Sequence, residues 1–301
     1  MAAQAWGSPE FRDQLCSWVE AAVGPVVAME QAKLRPWATV WQVRTEHRLF
    51  YVKQNCPGQI FEAGLAALLA ELAPSYVVPV EAVDVERGLL LTPDQGQVFG
   101  ESVAEDDLDS WCRLVVRAME LARAVAPHVE ALLAAGVTPC RVPPSVEAVV
   151  QPCLDDVATL GLADTLVHND LHEHNAFDRP DGLIFFDFAD AVVGHPLAGL
   201  LVPLNVLSDR LGEPGPRDPR LRRVADAGLE VWSDLAPMRD LRAALRAALR
   251  LGRLGRAESW PGSLPTSPVR RPSTSAAPPT RGSPASLIPS PFGSTRVRAG
   301  R

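Results

Sequence analysis

Before residue 94, the spacing of hydrophobic residues is helical in some stretches and extended in others. Two stretches have apolar residues at helical spacing: residues 11–22, and a second helix with Phe61, Leu65, Leu68, Leu69 and Leu72 on one face. Four other stretches are short and rich in β-branched or aromatic residues, which predicts strands at 36–43, 48–52, 77–83 and 88–92. We therefore expect a small antiparallel sheet with one helix inserted between its strands.

Helical spacing dominates after the turn-forming run Pro93-Asp94-Gln95-Gly96, which is a natural hinge. Asp106 or Asp107 can cap the first helix of this region, and Gly136 can end the next one. Apolar spacing predicts helices from residue 108 onward and at 129–135, 220–232 and 241–256.

The composition divides the chain into three segments. Residues 1–93 and 94–260 have suitable lengths for the two lobes of one α+β fold, a small sheet lobe and a larger, mostly helical lobe. Residues 261–301 are rich in Pro, Ser, Thr, Gly and Arg, contain no Asp, Glu or Lys, and show no periodicity, which predicts disorder. This tail is either a dispensable extension or the product of a reading-frame change in an Ala-, Arg- and Pro-rich coding sequence.

A polar run follows a short predicted strand in the middle of the chain. Residues 168–175 read His-Asn-Asp-Leu-His-Glu-His-Asn, and residues 186–190 read Phe-Asp-Phe-Ala-Asp. An Asp, an Asn five positions later and a second Asp twelve positions after that Asn can hold divalent metal on a nucleoside triphosphate beside a hydroxyl-activating carboxylate. The turn-forming residues 179–182 predict a hairpin that brings Asn175 and Asp187 to the same end. The spacing indicates a kinase-type phosphotransferase.

Each polar residue of the run can take a separate role, because phosphoryl transfer depends mostly on positioning and charge neutralisation. Mg²⁺ prefers hard oxygen ligands and is usually held by one or two side chains together with the phosphates. Asn175 and Asp187 can provide those side chains. Asp170 is then the candidate catalytic base, since its carboxylate can accept a hydrogen bond from the acceptor hydroxyl.

Two other interpretations of the run stay open. A lone Asp near a turn is usually a cap or a loop residue. His168, Asp170, His172 and His174 also look like a cluster of zinc ligands, although no Cys or distant His completes a recognisable pattern. Under the kinase interpretation, His168 is a structural residue whose ring hydrogen-bonds the loop backbone, and the other two histidines lie near the cleft or in solvent.

The two-part pattern resembles the aminoglycoside phosphotransferase family and its kinase-like relatives. The matching positions are His168, Asp170, Leu171, Asn175, Asp187 and Asp190. The resemblance implies a bilobal protein-kinase-like fold with Asp170 as the catalytic base. It also implies that Asn175 and Asp187 are metal ligands. Asp190 belongs to the same acidic segment, where it faces the acceptor or supports the site.

The chain departs from the family pattern at two places. Downstream of Gly194 and Pro196, where the resemblance implies an anchoring Asp, residues 198–200 read Ala-Gly-Leu. No glycine-rich phosphate loop joins the predicted strands at 36–43 and 48–52. Nucleotide contacts from this segment are therefore left unassigned.

Lysine is rare in this chain and occurs only at Lys33 and Lys53, whereas arginine carries most of the positive charge. Lys53 follows a predicted strand, and kinases use a strand lysine to contact the α- and β-phosphates and to pair with a helix Glu. Glu62, in the first turn of the next helix, is the candidate partner, so both residues are assigned to cofactor binding. The alternatives are an exposed edge-strand charge for Lys53 and a favourable helix-dipole interaction for Glu62.

Composition narrows the class of partner. The 36 acidic residues outnumber the 29 Lys and Arg residues, which argues against nucleic acid as the main partner and is compatible with a cationic acceptor. No continuous apolar stretch reaches transmembrane length, and the N-terminus does not resemble an export signal. Five cysteines without a Cys-x-x-Cys pair suit reduced thiols. We therefore expect a cytoplasmic protein with no membrane partner.

Together these patterns predict a phosphotransferase that moves the terminal phosphoryl group of a Mg²⁺ nucleotide to a hydroxyl of a small molecule. ATP is the expected nucleotide, and GTP is not excluded. The resemblance implies antibiotic, amino alcohol or sugar acceptors, with aminoglycoside-like antibiotics among them. The main alternative is a catalytically weak or inactive kinase-like protein that binds nucleotide, and the third is a zinc-dependent hydrolase. The sequence leaves the acceptor and the oligomeric state open.

Overall fold

The computed structural model describes residues 6–104, 107–215 and 217–259, with side chains as far as residue 256. The predicted disordered tail at 261–301 lies outside the described residues, and so does Asp106. Asp107 is described and caps the helix that follows it, because its side chain accepts a hydrogen bond from the backbone N–H of Ser110 at 3.1 Å.

Five antiparallel strands form a sheet in the N-terminal part of the chain. In chain order the strands are β1 (Ala28–Leu34), β2 (Ala38–Arg44), β3 (Leu49–Asn55), β4 (Ala82–Asp84) and β5 (Leu89–Pro93). They lie side by side in the order β1-β2-β3-β5-β4. Lys53 on β3 lies opposite Val40 of β2 and Leu90 of β5. Because β3 is hydrogen-bonded on both sides, the backbone at Lys53 has a fixed position.

The first helix, α1 (Pro9–Val23), covers one face of the sheet. Ser8 caps this helix by accepting a hydrogen bond from the N–H of Phe11 at 3.1 Å. The core beneath α1 consists of Leu15, Val19, Met29, Trp41, Val43, Phe50, Val52, Leu89 and Leu91. Side chains alternate between the two faces of a strand, so Lys53 projects from the face opposite to Val52.

The second helix, α2 (Glu62–Leu72), lies between the sheet and the helical part of the chain. A 3₁₀ turn at Pro57–Gln59 joins β3 to this helix. Leu65 and Leu69 are fully buried and belong to the large core that includes the later helices. The helix therefore links the two parts, and its first residue is Glu62.

Two features of the sheet differ from the sequence prediction. The hydrophobic pattern does not predict β1, because this strand lies at a sheet edge and Met29 is its one buried residue. The predicted strand at 77–83 is shorter, since the sheet includes only Ala82–Asp84 of it. Val77 instead forms a parallel bridge with Phe185. Pro79 lies between the two pairings, where the missing N–H of proline interrupts strand hydrogen bonding.

Helices dominate the described residues after Pro93. They are α3 (Leu108–Val125), α4 (Val129–Ala134), α5 (Glu147–Ala158), α6 (Leu201–Arg210), α7 (Pro219–Glu230) and α8 (Met238–Ser259). The buried face of α3 includes Trp111, Leu114 and Val115, as its apolar spacing predicts. The sequence patterns do not predict α5 and α6, each of which contains a proline.

Short strands position the polar run at residues 168–175. The strand β7 (Thr165–Val167) leads into this run and pairs with β10 (Val192–Gly194), which also pairs with β6 (Thr138–Pro139). The run leads into the predicted hairpin of β8 (Ala176–Arg179) and β9 (Gly182–Phe185).

This arrangement is the predicted bilobal, protein-kinase-like α+β fold, with an antiparallel sheet before residue 94 and a mostly helical part after it. The exact lobe boundary stays a prediction. Among the described residues, no helix combines the length and the apolar character that crossing a membrane requires.

Candidate active site

The loop between β7 and β8 folds around Asp170. The amide Nδ2 of Asn175 donates a hydrogen bond to the backbone oxygen of Asp170 at 2.9 Å and lies 3.4 Å from its Oδ2. Asp170 is buried, with 6% of its surface exposed, and Asn175 is 1% exposed. The two residues that the sequence assigns to base and metal ligand are therefore in direct contact.

His168, at the start of this loop, contacts the backbone that follows β9. One ring nitrogen, Nε2, lies 3.0 Å from the backbone oxygen of Phe186, and because a carbonyl only accepts, Nε2 carries the proton. The ring also lies 4.6 Å from the ring of Phe188, measured between centroids. Burial lowers the pKa of His168, which favours the neutral ring. The ring therefore hydrogen-bonds the backbone just after β9 and not the backbone of its own loop, and the supporting role of His168 stays a prediction.

Asp187 comes two residues after β9 and lies beside the loop. The N–H of Phe186 donates to the backbone oxygen of Asn175 at 3.2 Å, so the hairpin brings both predicted metal ligands to one end. Asp187 has a positive φ of 64°, which is uncommon for a residue other than glycine. Its Oδ1 lies 2.7 Å from Nζ of Lys53. This contact joins the sheet to the hairpin.

Lys53 lies between two carboxylates. Its Nζ is 2.6 Å from Oε2 of Glu62 and 2.7 Å from Oδ1 of Asp187. The predicted pair of Lys53 and Glu62 is therefore present, and the interpretation of Lys53 as an exposed edge charge is wrong. Asn55 also donates to Glu62, whose side chain is 2% exposed. The roles of Lys53 and Glu62 in cofactor binding stay predictions.

Lys53 and Asp187 each stabilise the charged form of the other. Burial lowers the pKa of Lys53, but the charges of Asp187 and Glu62 outweigh burial and hold the pKa above its usual range. For Asp187, burial raises the pKa, and the Lys53 ammonium outweighs this and keeps the pKa below its usual range. Both groups are ionised near neutral pH.

Asp190 has a different environment. Its Oδ1 accepts a hydrogen bond from Nε2 of Gln59 at 3.1 Å. Burial, together with the neighbouring charges of Asp170 and Asp187, raises the pKa of Asp190 to about 6. Asp190 therefore lies close to the other two carboxylates, and the opposing charges of Arg256 and Lys53 do not offset these effects.

The histidines of the run do not form a zinc site. His168 is committed to the backbone of Phe186, and Nδ1 of His172 accepts from the N–H of His174 at 3.2 Å. Over the residues with described side chains, no three His, Cys, Asp or Glu residues converge as metal ligands. The arrangement gives no support to the zinc-hydrolase alternative.

The donor set fits a magnesium ion that is shared with phosphates. Nδ2 of Asn175 is committed to Asp170, so its amide oxygen is the atom that can ligate a cation. Asp187 supplies an ionised carboxylate. Two hard oxygen donors are the usual protein share of a site in which phosphates and waters complete the coordination.

Sequence reasoning missed two cations at this site. Burial lowers the pKa of Lys33, and the charge of Asp187 opposes that shift, so Lys33 lies within electrostatic reach of Asp187. The rarity of lysine was a signal that could have identified it. Arg256, on α8, has its Nη2 2.9 Å from Oδ1 of Asp170. No sequence signal distinguishes Arg256 from the other arginines of that helix.

Gly199 occupies the stretch where the family resemblance implies an anchoring Asp. A Cβ added at Gly199 would lie 2.9 Å from Cε of Met119 on α3. This stretch therefore packs against α3. Cε is the far end of a flexible side chain, so this contact alone does not account for the glycine.

No protein-family model matches this chain, and no curated protein sequence matches it. Solved structures do match. One is a thermostable mutant of aminoglycoside phosphotransferase APH(4)-Ia in a ternary complex with AMP-PNP and hygromycin B. It is 15% identical, with 80% of this chain and 99% of that chain covered and a TM-score of 0.42.

Two further solved structures are similar over comparable lengths. The GDP complex of wild-type aminoglycoside 2'-phosphotransferase-IIIa is 14% identical and covers 84% of this chain and 100% of that chain, with a TM-score of 0.45. Choline kinase LicA from Streptococcus pneumoniae is 12% identical and covers 84% and 99%, with a TM-score of 0.43.

Proposed function

We propose that this chain is a kinase-type phosphotransferase that moves the terminal phosphoryl group of Mg²⁺-ATP to a hydroxyl group of a small molecule. One observation carries the proposal: Lys53 bridges Glu62 and Asp187, and the hairpin that presents Asp187 also presents Asn175 in contact with Asp170. Transfer of a phosphoryl group requires a fixed cation, oxygen ligands for magnesium and a nearby carboxylate.

Each residue has a distinct role in the proposed reaction. Lys53, oriented by Glu62, contacts the α- and β-phosphates. Asn175 and Asp187 would hold Mg²⁺, which would neutralise charge on the phosphates. Asp170 accepts a hydrogen bond from the acceptor hydroxyl and orients its oxygen for in-line attack. His168 keeps the loop in place through its bond to Phe186.

Lys33 is a candidate for a second phosphate contact. It lies near the end of β1, and its charge interacts with that of Asp187 and Lys53. The segment between β1 and β2 contains no glycine-rich loop, so a lysine can supply attraction that backbone N–H groups provide in other kinases. Both lysines of the chain would then serve the nucleotide.

The proposed acceptor class rests on the chemistry of the site and on the resemblance to the aminoglycoside phosphotransferase family. A carboxylate that orients a hydroxyl suits alcohols, and the acidic balance of the chain is compatible with a cationic acceptor. We propose aminoglycosides and amino alcohols as the first candidates. We expect no nucleic acid or membrane partner, a cytoplasmic location, and ATP in preference to GTP.

The proposal is tested by a phosphorylation screen on the purified full chain. Mg²⁺-ATP or Mg²⁺-GTP is combined with a panel of aminoglycosides, macrolides, amino alcohols and sugars, and phosphorylated product is detected by mass spectrometry. The control variant is Asp170→Ala, for which we expect about 10²- to 10⁴-fold slower transfer. Equal rates in the wild type and the variant would exclude Asp170 as the base.

The same screen, together with a melting temperature measured with and without Mg²⁺-ATP, distinguishes an active enzyme from an inactive kinase-like protein that binds nucleotide. An inactive kinase-like protein would show a higher melting temperature with Mg²⁺-ATP but no product with any acceptor. A chain that neither binds nucleotide nor transfers phosphate would contradict both.

A further inference from the structure

The last described helix, α8, contacts the loop at residues 168–175, between β7 and β8, which is the catalytic loop of the proposed reaction. Arg256 lies near the end of α8, and its guanidinium forms two contacts with consecutive residues of the loop. Nη1 donates to the backbone oxygen of Asn169, and Nη2 lies 2.9 Å from Oδ1 of Asp170. The Arg256 side chain is 20% exposed and the Asp170 side chain is 8% exposed, so the contact is largely shielded from water.

The chain turns at Asn169, next to Asp170. Asn169 has a φ of 62°, in the left-handed region that Asn adopts more readily than most residues with a Cβ. Its carbonyl oxygen is one of the two groups that Arg256 contacts. A planar guanidinium can donate to a carbonyl and to a carboxylate at once, which a lysine ammonium does with less geometric control. Arg256 therefore fixes both the peptide and the side chain that follows it.

Close packing brings the helix to the loop. A Cβ added at Gly255 would lie 2.6 Å from Sγ of Cys140, beside β6. A Cβ added at Gly252 would lie 3.2 Å from Cβ of Ala198. Small residues on this face let α8 approach β6 and the segment at 196–200. The approach places Arg256 against Asn169 and Asp170, and its charge also acts on Asp190.

We propose that Arg256 is a positioning residue of the catalytic loop, which holds the Asn169–Asp170 peptide and one oxygen of the Asp170 carboxylate. The other oxygen, Oδ2, lies next to Nδ2 of Asn175. A carboxylate has about four lone-pair sites, so two such contacts orient Asp170 and still leave it able to accept a bond from a hydroxyl. This inference rests on the proposed phosphotransfer function.

The test compares Arg256→Ala, Arg256→Lys and a matched control, Arg253→Ala, in the full chain. Arg253 is an exposed arginine one turn earlier on the same helix. Two quantities are measured for each variant. The first is Asp170-dependent formation of ADP from Mg²⁺-ATP, with the phosphoryl group going to water or to the acceptor found by the screen. The second is hydrogen exchange of the backbone amides at residues 168–175.

We expect Arg256→Ala to lower kcat by about 10- to 100-fold and to change the KM for Mg²⁺-ATP less than about 2-fold. Added guanidinium ion should restore part of the rate, and Arg256→Lys should retain more activity than the alanine variant. Exchange at residues 168–175 should become faster in Arg256→Ala. The Arg253→Ala control should match the wild type in both measurements.

A second variant moves Arg256 without removing it. Gly255→Ala places a methyl group against Cys140 and should shift the end of α8, which gives a smaller loss of kcat and faster exchange in the same loop.

An unchanged or faster rate in Arg256→Ala, together with unchanged exchange, would overturn the proposal. A faster rate would mean that Arg256 competes with the acceptor for Asp170. Failure of the proposed function has a different signature, because the wild-type chain would then form no Asp170-dependent ADP, with water or with any acceptor. In that case the exchange measurement alone decides whether Arg256 holds the loop.

Discussion

Two cations, Lys53 and Arg256, hold the carboxylates of the candidate active site, and their surroundings differ. Lys53 projects from a central strand and lies between Glu62 and Asp187. Arg256 projects from near the end of a helix and contacts one carboxylate, that of Asp170, and one backbone carbonyl. The exposed fractions of the two cations are similar, 17% and 20%. The difference therefore lies in the number of carboxylates that each cation neutralises.

That difference separates two tasks. A lysine ammonium is a compact charge, and two carboxylates can hold it in a position where it can bind phosphates. An arginine across a peptide oxygen and a carboxylate fixes an orientation instead. If this division is correct, loss of the lysine should mainly affect folding and nucleotide binding, whereas loss of the arginine should mainly affect the rate of transfer.

The largest effect is expected when Lys53, the cation between Glu62 and Asp187, is removed. Lys53→Met leaves Glu62 and Asp187 as two buried carboxylates without their shared cation, and we expect it to lower the free energy of unfolding by about 3–5 kcal/mol. Urea unfolding followed by tryptophan fluorescence measures this. The matched control is Lys33→Met, in the same sheet, for which a smaller loss is expected. Equal losses in the two variants would show that the bridge at Lys53 has no special weight.

The next effect concerns magnesium. Asp187→Ala removes the ionised oxygen ligand, and we expect Mg²⁺-ATP to bind about 10- to 100-fold more weakly, while ATP without Mg²⁺ binds nearly as before. Isothermal titration with and without Mg²⁺ measures both. Asp178→Ala, a half-exposed carboxylate on the same hairpin, is the control. Equal weakening with and without Mg²⁺ would argue against Asp187 as a metal ligand.

A smaller effect depends on pH and involves Asp190. Its pKa is about 6 in the folded chain, above the ordinary value of 3.8, so the folded state binds this proton more tightly. Stability should therefore fall as pH rises from about 4 to about 6, and the ionised group remains destabilising at higher pH. Asp190→Asn keeps an oxygen for Gln59 and should raise the free energy of unfolding at pH 8 by about 1–3 kcal/mol.

This prediction is checked by unfolding the wild type and Asp190→Asn at pH 5 and pH 8, without nucleotide or Mg²⁺. The gain should be clearly smaller at pH 5. The same gain at both pH values would show that burial of this carboxylate, and not its charge, determines the difference.

The smallest effect is expected from deletion of residues 261–301. Lys53, Arg256 and the carboxylates that they contact all precede this segment. The free energy of unfolding of the shortened chain should therefore lie within about 0.5 kcal/mol of that of the full chain, and Mg²⁺-ATP should bind equally well. Thermal unfolding with and without nucleotide measures both properties. Loss of folding or nucleotide binding would exclude a dispensable tail.

Sequence reasoning found the parts of the site that are local or chemically rare. The spacing of Asp170, Asn175 and Asp187 lies within one loop and hairpin, and Lys53 stood out because the chain has only two lysines. The edge strand β1 was missed because its side chains are mostly exposed and give no alternation. The register that aims Lys53 at Glu62 comes from strand pairing, which a single sequence does not specify.

Arg256 could not be predicted for a different reason. Several arginines occur on α8, and their spacing is typical of a solvated helix face. Which of them turns inward depends on how closely the helix packs, and glycines such as Gly255 determine that distance. Contacts of this kind depend on tertiary packing between segments 86 residues apart.

The bond between Lys53 and Asp187 spans 134 positions of the chain. Closing so long a loop has a large entropic cost that local structure does not offset, so this contact should form late in folding. A molecule in which this contact has not formed would leave Lys53 with Glu62 as the remaining carboxylate of its two partners. If the proposed function is correct, such a molecule would not transfer phosphate, so activity would depend on contacts between the two ends of this long segment.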